Sequence, residues 1–235
     1  MRRFATALVL LGTAVAALTG DALAAPVTIN IEGVVAGISD YSPVRGEVRI
    51  GDLITGSYTY DSSAPDARPD IEHYGRYEFD DPWCGIELNV GDFSFASDAQ
   101  NPSFAVSIMN DRITTRQAHD IYEVQSLNNL PFAPDVPIVN ISFMLYDSSA
   151  EALGSTALPA TAPVLSDWPH SQLWINGEAW AGYLYGEVTS LTLVPEPAGG
   201  ILLALGLPAL LRRRRYPRAA APRDSAAAQF RRACP

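Results

Sequence analysis

The chain has 235 residues, a formal net charge of −10 and 48% hydrophobic residues, and it contains no lysine. The missing lysine excludes Schiff-base and lysine-general-base chemistry, as well as the Lys–Asn cross-links of some bacterial surface domains. Between Pro26 and Val194, six arginines minus 23 acidic residues give a charge of −17, so this part repels nucleic acid and anionic membranes.

The N-terminus has the three parts of a secretory signal peptide. Met1–Arg3 is positively charged, Phe4–Leu18 is apolar, and Ala22-Leu23-Ala24 offers small residues at alternate positions. Signal peptidase recognises this arrangement. We therefore expect residues 1–25 to be a signal peptide that is cleaved after Ala24 or Ala25, with export of the unfolded chain by general secretion.

The segment 26–193 is rich in alternating apolar and polar residues, which is typical of half-buried β-strands. Gly91-Asp92 interrupts one such run and predicts a hairpin with a two-residue turn. Asn110-Asp111 predicts the end of a strand that begins at Phe104. Strands are expected at 44–50, 54–60, 86–95, 104–108, 139–145 and 180–194.

Short strands separated by turn residues predict an all-β fold for residues 26–193, built as an antiparallel β-sandwich or jelly roll. Helical periodicity is weak throughout, and a short helix is considered only at 112–120 or 148–153. Three proline-rich loops are expected to be exposed: 61–70, 130–137 and 156–170.

Acidic residues in one loop suggest a calcium site. Asp61, Asp66 and Asp70 lie close together in sequence, and hard oxygen ligands on loops suit Ca²⁺. Their spacing does not match the EF-hand pattern. Aspartate also forms turns on its own, so the alternative interpretation is a set of turn residues without metal.

Four tryptophans lie between the two ends of the chain, and exposed aromatic rings can serve as platforms for sugars. Trp168 stands next to Pro169-His170 in a predicted loop, so we expect it to be exposed and to be the best candidate for carbohydrate binding. Trp174 and Trp180 fall in apparent strands, where core packing is the commoner role.

No set of residues in the chain predicts a catalytic site. His73, His119 and His170 fit no His-Glu-x-x-His pattern, and Gly-x-Ser-x-Gly and glycine-rich phosphate loops are absent. Two suitably placed carboxylates suffice for a glycosidase. With 23 acidic residues between Pro26 and Val194, however, the presence of such a pair does not indicate an active site. An enzyme acting on polysaccharide is the least supported alternative. Cys84 is expected to be an inert, buried thiol that forms no disulfide with Cys234.

The last fifth of the chain has three ordered parts. The motif Pro195-Glu196-Pro197 is followed by the apolar run Ala198–Leu211 and then by Arg212, Arg213, Arg214 and Arg215. As a helix the run would rise about 21 Å, so snorkelling arginines and bilayer thinning must help it to span about 30 Å. Positive charge stays in the cytoplasm, so we expect the β domain to lie outside.

This ordered set resembles the PEP-CTERM sorting signal of Gram-negative bacteria. The resemblance implies that Pro195, Glu196 and Pro197 form the recognition motif, that Ala198–Leu211 is a single transmembrane helix, and that the four arginines are the membrane stop. It also implies processing by exosortase, a membrane transpeptidase-like enzyme, and a link to exopolysaccharide. Residues 216–235 extend past the usual signal and are expected to be a disordered tail.

Together these features predict an exported protein of the cell surface or extracellular matrix. Residues 1–25 form the signal peptide, 26–193 the β-sandwich domain and 194–215 the sorting signal. Signal peptidase and exosortase are the expected processing partners, the inner membrane anchors the precursor, and no nucleic acid is bound. The alternative function is a carbohydrate- or calcium-binding module associated with exopolysaccharide, with Ca²⁺ as the single cofactor considered.

Overall fold

The structure, a computed structural model, describes residues 26–40, 42–114, 117–178 and 182–195. The predicted signal peptide, transmembrane helix, arginine stop and tail lie outside these residues. No helix of the described residues is long and apolar enough to cross a bilayer. The strands described below all belong to one unit of the chain, Met1–Val194.

The described residues form ten β-strands and one short 3₁₀ helix. They are β1 Pro26–Ile38, β2 Leu53–Asp61, β3 Tyr74–Phe79, β4 Gly85–Val90, β5 Phe93–Ala96, β6 Phe104–Thr114, β7 Gln117–Ser126, β8 Asn140–Asp147, the 3₁₀ helix Leu165–Asp167, β9 His170–Asn176 and β10 Gly182–Leu193. All ten strands belong to one sheet with the order β3-β6-β7-β8-β9-β10-β1-β2-β4-β5. Every neighbouring pair is antiparallel. The prediction of an all-β, antiparallel fold is therefore confirmed.

The sheet curls so that β2 meets β7 and β8. The ring of Tyr58 in β2 lies 5.3 Å from the ring of Phe143 in β8. Its hydroxyl lies 3.0 Å from that of Tyr122 in β7. In the strand order β2 is five places from β7, and in a flat sheet these two strands would be about 24 Å apart. Their contact therefore requires a curled sheet. The hydrophobic core fills the inside of the curl, and all three rings are buried in it.

A long connection closes one side of the core. Residues 148–164, here called the strap, link β8 to the 3₁₀ helix. Tyr60 donates a hydrogen bond of 2.6 Å to the carbonyl of Pro159, and Tyr77 donates one of 2.9 Å to the carbonyl of Thr156. Leu158 and Ala162 pack against the core. The strap therefore covers the core from outside: its residues are half-buried or exposed, while its carbonyls accept from buried tyrosine hydroxyls that need such acceptors.

Loops cover both edge strands of the sheet. The amide of Ala67 donates 2.7 Å to the carbonyl of Arg76 in edge strand β3. At the other edge, the ring of Phe132 lies 5.4 Å from Phe93 and 5.8 Å from Phe95 in β5. Exposed edges invite pairing with other chains, so these loops protect the open sheet from association.

Several predicted strands are confirmed. Segment 54–60 lies in β2, and segment 139–145 lies in β8 except for its first residue. The predicted hairpin is also present. Val90 pairs with Phe93 across Gly91-Asp92, and Gly91 has a φ of 59°. A two-residue turn requires positive φ, which explains the glycine.

The predicted strand at 44–50 is wrong. Val44 and Val48 are buried, but Ile50 is 71% exposed, and the segment forms turns with the amide of Val48 donating 3.0 Å to the carbonyl of Val44. Gly46 has a φ of 95°, a conformation that glycine adopts without strain. Val44 and Val48 point inward because they are four residues apart in tight turns.

Both helix candidates and one predicted strand end are also wrong. Residues 112–120 belong to the β6–β7 hairpin wherever they are described, and 148–153 contains bends without helix. β6 continues past Asn110-Asp111 as a bulge, where the register shifts between Met109 and Arg112. Asp111 adopts a φ of 54° there, so these residues bend the strand without ending it.

Candidate functional site

The expectation that Trp168 is exposed is wrong. It follows the 3₁₀ helix Leu165–Asp167, is 6% exposed and belongs to the hydrophobic core. The other residues of the proline-rich loop 156–170 are half-buried or exposed, as predicted, but the ring of Trp168 is buried in the core. A buried ring cannot stack on a sugar, so Trp168 is a core residue.

The three aspartates proposed for calcium act as local turn acceptors or face solvent. Asp61 Oδ1 accepts hydrogen bonds of 2.8 Å from the amide and the hydroxyl of Ser63. Asp66 Oδ1 accepts from the amides of Arg68 and Arg76, while Asp70 is exposed. Nowhere in the described ranges do three or more His, Cys, Asp or Glu side chains form a group suited to a metal ion. The predicted ligands are thus not brought together.

Among the other predicted residues, Cys84 is buried and free, as expected. Burial raises the pKa of its thiol to about 12, so the thiolate is scarce at neutral pH. Pro195 is described and exposed, whereas Glu196, Pro197, Arg212–Arg215 and Trp180 lie outside the described residues. The recognition motif therefore stays a prediction.

A groove lies on the outer face of the sheet, over β9 and β10. It has a volume of about 340 Å³ and is lined by His170, Gln172, Trp174, Tyr185 and Glu187, together with smaller neighbours. We call this feature the outer groove. It faces away from the core, because the intervening residues Leu173 and Ile175 are fully buried on the inner face and side chains alternate along a strand.

Two aromatic rings form the centre of the outer groove. Trp174 in β9 is directly opposite Tyr185 in β10. Trp174 is half-buried, and Tyr185 is 41% exposed. The adjoining positions of β1 are Ala36 and Gly37, and a Cβ on Gly37 would lie 3.5 Å from the Tyr185 ring. Large residues on two strands beside small ones on the third thus create the depression.

Polar groups surround these rings. Gln172 and His170 share the face of Trp174, and Glu187 shares that of Tyr185, because the members of each pair are an even number of positions apart along the strand. A second depression of about 300 Å³ adjoins the groove and is lined by Met144, Tyr146, His170 and Gln172. The rings of Tyr146 and His170 are 6.0 Å apart. Aromatic and hydrogen-bonding groups therefore continue from β10 to β8.

The alternation of residues in β9 already indicates that Trp174 lies on the outer face of the sheet. Trp174 stands between Leu173 and Ile175, so alternation places it opposite the apolar side of its strand. The expectation that Trp174 packs in the core is wrong, because its ring is half-buried on the outer face. The partner Tyr185 was not identified, since the pairing of β9 with β10 is required to bring the two together.

A pair of buried aspartates stands out at the strap. Asp120 and Asp147 are paired in register on β7 and β8, and both are almost fully buried. Asp120 accepts hydrogen bonds from the amides of Asp111 and Leu153. Asp147 accepts from the amides of Ser149, Glu151 and Ala152. Both oxygens of each carboxylate therefore accept hydrogen bonds from backbone amides. This arrangement favours a role in anchoring loops over acid–base chemistry.

Electrostatics supports this role for Asp147. Burial alone would raise the pKa of its carboxyl group, but the hydrogen bonds from Glu151, Ser149 and Ala152 together lower it below the ordinary value. Hydrogen bonds to the charged form favour that form. Asp147 is consequently ionised in the folded protein over the whole neutral range.

We predict that Asp147→Asn lowers the free energy of unfolding by about 1–3 kcal/mol at pH 7, because one carboxylate oxygen is replaced by an amide NH2 group that cannot accept hydrogen bonds from the backbone. The folded pKa is depressed, so this stabilisation is present above the unfolded pKa of about 3.9 and is lost as the pH falls through the folded pKa. The difference between variant and wild type should shrink at pH 3. Urea unfolding at both pH values tests this.

The exposed Asp70→Asn is the matched control and should match the wild type at both pH values. Equal stability of Asp147→Asn and the wild type at pH 7 would contradict the anchoring role.

The chain matches no protein-family model, and searches of curated proteins and of solved structures found no significant match. No relative therefore assigns a role to the outer groove or to the aspartate pair.

Proposed function

We propose that this protein is an exported surface or extracellular-matrix protein of a Gram-negative bacterium, sorted and processed through a PEP-CTERM and exosortase system. The observation that carries the proposal is the ordered set of Pro195-Glu196-Pro197, an apolar run and four arginines, with a signal-peptide pattern at the other end. The precursor would be anchored in the inner membrane and then displayed or released.

The described domain is compatible with such a role. Its acidic surface suits a domain that stays free of anionic membranes, and its covered sheet edges suit a protein displayed at high local concentration. We propose that the two halves of the curled sheet act as the facing layers of a sandwich-like domain. We also propose that the domain works by binding and not by catalysis.

Intact mass spectrometry of protein recovered from outside the native host tests the sorting proposal. The mature chain is expected to begin after Ala24 or Ala25 and to end near Pro197, because both ends are processed. A strain without exosortase should retain the C-terminal segment. The double variant Pro195→Ala and Glu196→Ala should also retain it, while Asp224→Ala in the tail should be processed normally. Full-length mass in the wild type, unchanged on deletion of exosortase, would refute sorting.

The outer groove favours a second function, carbohydrate binding. Its adjacent partly exposed rings and flanking polar side chains are the features that a sugar-binding face requires. This function is compatible with export, since a displayed domain meets polysaccharide outside the cell. No comparable arrangement of the described residues favours calcium binding.

A further inference from the structure

We propose that the outer groove is a binding site for an uncharged polysaccharide chain, with Trp174 and Tyr185 as its platform. This inference rests on the proposed function in one respect, that the domain is displayed where such polymers occur. It names a site and a ligand class, and it places them on the face opposite the core. The buried Trp168 has no part in it.

The two rings supply the apolar contact. Trp174 and Tyr185 are directly opposite in register, which holds the two side chains within about 5.5 Å of each other at Cβ. Each aromatic side chain has only two χ angles, so little conformational entropy is lost on binding. The C–H face of a sugar ring is apolar, and it can cover both rings while its hydroxyls stay at the edge.

The polar side chains around the two rings can form hydrogen bonds with the hydroxyl groups of a sugar. Gln172 carries both a donor and an acceptor, Glu187 accepts, and His170 offers one ring nitrogen of each kind when neutral. A hydroxyl donates one hydrogen bond and accepts two, so it needs this mixture. A purely apolar ligand would leave these groups unpaired, at a cost in affinity.

The charge of the groove selects against other polymers. Its lining includes the carboxylate of Glu187 and contains neither arginine nor lysine. Nucleic acid and acidic polysaccharide both need cationic contacts, and here they would meet a carboxylate. A neutral, hydroxyl-rich polymer avoids this repulsion and suits the mixed donors and acceptors of the groove.

The length of the site indicates a chain and not a single sugar. The outer groove and its neighbour share His170 and Gln172. Trp174 is four positions after His170 in β9, which is roughly 13 Å along the strand. Tyr146, beside His170, adds an aromatic ring at the far end. Such a site accommodates several consecutive units of a polymer.

A depression of similar size over β3 and β6 is a weaker candidate for the same ligand. It has a volume of about 350 Å³, but the guanidinium of Arg76 is paired there with Glu78 at 2.7 Å. The two phenylalanines among its neighbours, Phe79 and Phe104, are core residues that are 6% and 2% exposed. It therefore lacks an accessible aromatic platform.

Affinity gel electrophoresis of the full-length chain tests the inference with a fixed panel of probes. The panel contains the exopolysaccharide purified from the producing strain, soluble β-glucan, mannan and xylan, and acidic polygalacturonate. We expect at least one neutral member to retard the wild type and polygalacturonate to leave its mobility unchanged. Trp174→Ala and Tyr185→Ala should each weaken this retardation about tenfold, as expected for loss of an aromatic platform.

Two further variants keep the result interpretable. Trp83→Ala removes a tryptophan that is 43% exposed outside the groove, and it should bind as the wild type does. Gln172→Ala truncates an exposed polar side chain, so it should fold normally and still lower the affinity several-fold. Near-ultraviolet circular dichroism of each variant identifies any that has lost its fold, in which case Gln172→Ala decides.

Three outcomes would overturn the inference. The first is retardation by no neutral polysaccharide, and the second is an equal loss in Trp83→Ala. The third is tryptophan-dependent binding of a proline-rich peptide in place of any glycan, since such peptides also dock on aromatic grooves. None of these affects sorting, because the groove variants should still be processed to the same mature mass. Conversely, a mature mass that contradicts sorting would not affect the binding result.

Discussion

Replacing Phe143 with alanine is expected to lower the free energy of unfolding by about 3–5 kcal/mol, the largest effect of any single truncation considered for this domain. Phe143 is fully buried, and its ring lies 5.3 Å from Tyr58 and 6.1 Å from Tyr122. Tyr122 comes from the neighbouring strand β7, whereas Tyr58 comes from β2 on the other side of the curl. The cavity would therefore lie between the two halves of the sheet, where it cannot collapse simply. A domain of ordinary stability has only about 5–15 kcal/mol in total.

Urea unfolding and thermal melts measure this effect. A domain of this size loses about 2–4 °C in Tm for each kcal/mol. Ile113→Ala is the matched control, because Ile113 is 73% exposed and its truncation should stay within about 0.5 kcal/mol of the wild type. If Phe143→Ala lost no more than Ile113→Ala, the two halves of the sheet would not meet as described.

Local patterns predicted those strands in which apolar and polar residues alternate strictly. In β2 and β8 every second residue is apolar, and Tyr58, Phe143 and Leu145 are fully buried on that face. The Gly91-Asp92 turn was predictable because a two-residue hairpin restricts the residues that fit. These features depend on neighbours in sequence, which is why the sequence alone revealed them.

The strand predicted at 44–50 shows where alternation is ambiguous. Val44 and Val48 are four residues apart, a spacing that fits both a strand face and a single tight turn. Only Ile50 distinguishes the two, since a strand would bury it and the structure leaves it 71% exposed. β7 was missed for a related reason. Its neighbouring residues His119 and Asp120 are both buried, which breaks the period of two.

The location of the strap, and therefore the burial of Trp168, depends on the strand order. A strap that closes the core must lie beside Tyr60 of β2 and Tyr77 of β3, which are far from it in sequence. The outer groove has the same dependence, because Tyr185 meets Trp174 only through the register of β9 and β10. Composition and alternation contain no information on such pairings.

Alkaline pH is expected to destabilise the domain through its buried tyrosines. Burial raises the pKa of Tyr60 to about 12, and it raises those of Tyr58 and Tyr122 well above their ordinary value. The unfolded chain ionises near pH 10, so the folded state holds these protons more tightly. Stability is fully present below pH 10 and is lost as the pH rises towards the folded pKa values.

The expected loss from Tyr60 alone is about 2.7 kcal/mol between pH 10 and 12, from two pKa units at about 1.36 kcal/mol each. Tyr58 and Tyr122 add to it, because they share one hydroxyl contact of 3.0 Å and neither reaches solvent. Urea unfolding at pH 9, 10 and 11 measures the slope. Absorbance of tyrosinate near 295 nm should show the buried hydroxyls ionising only as the domain unfolds.

Tyr60→Phe separates the pH effect from simple packing. The variant loses the hydrogen bond to Pro159 and should be about 1 kcal/mol less stable at pH 7, yet its stability should fall less steeply above pH 10. Tyr185→Phe removes an exposed hydroxyl and should keep the wild-type slope. Identical slopes for wild type and Tyr60→Phe, or tyrosinate signals from all ten tyrosines in the folded protein near pH 10, would show that the strap does not shield the core from water. In that case the hydroxyl of Tyr60 would be open to solvent, and the closed interior beneath residues 148–164 would have to be abandoned.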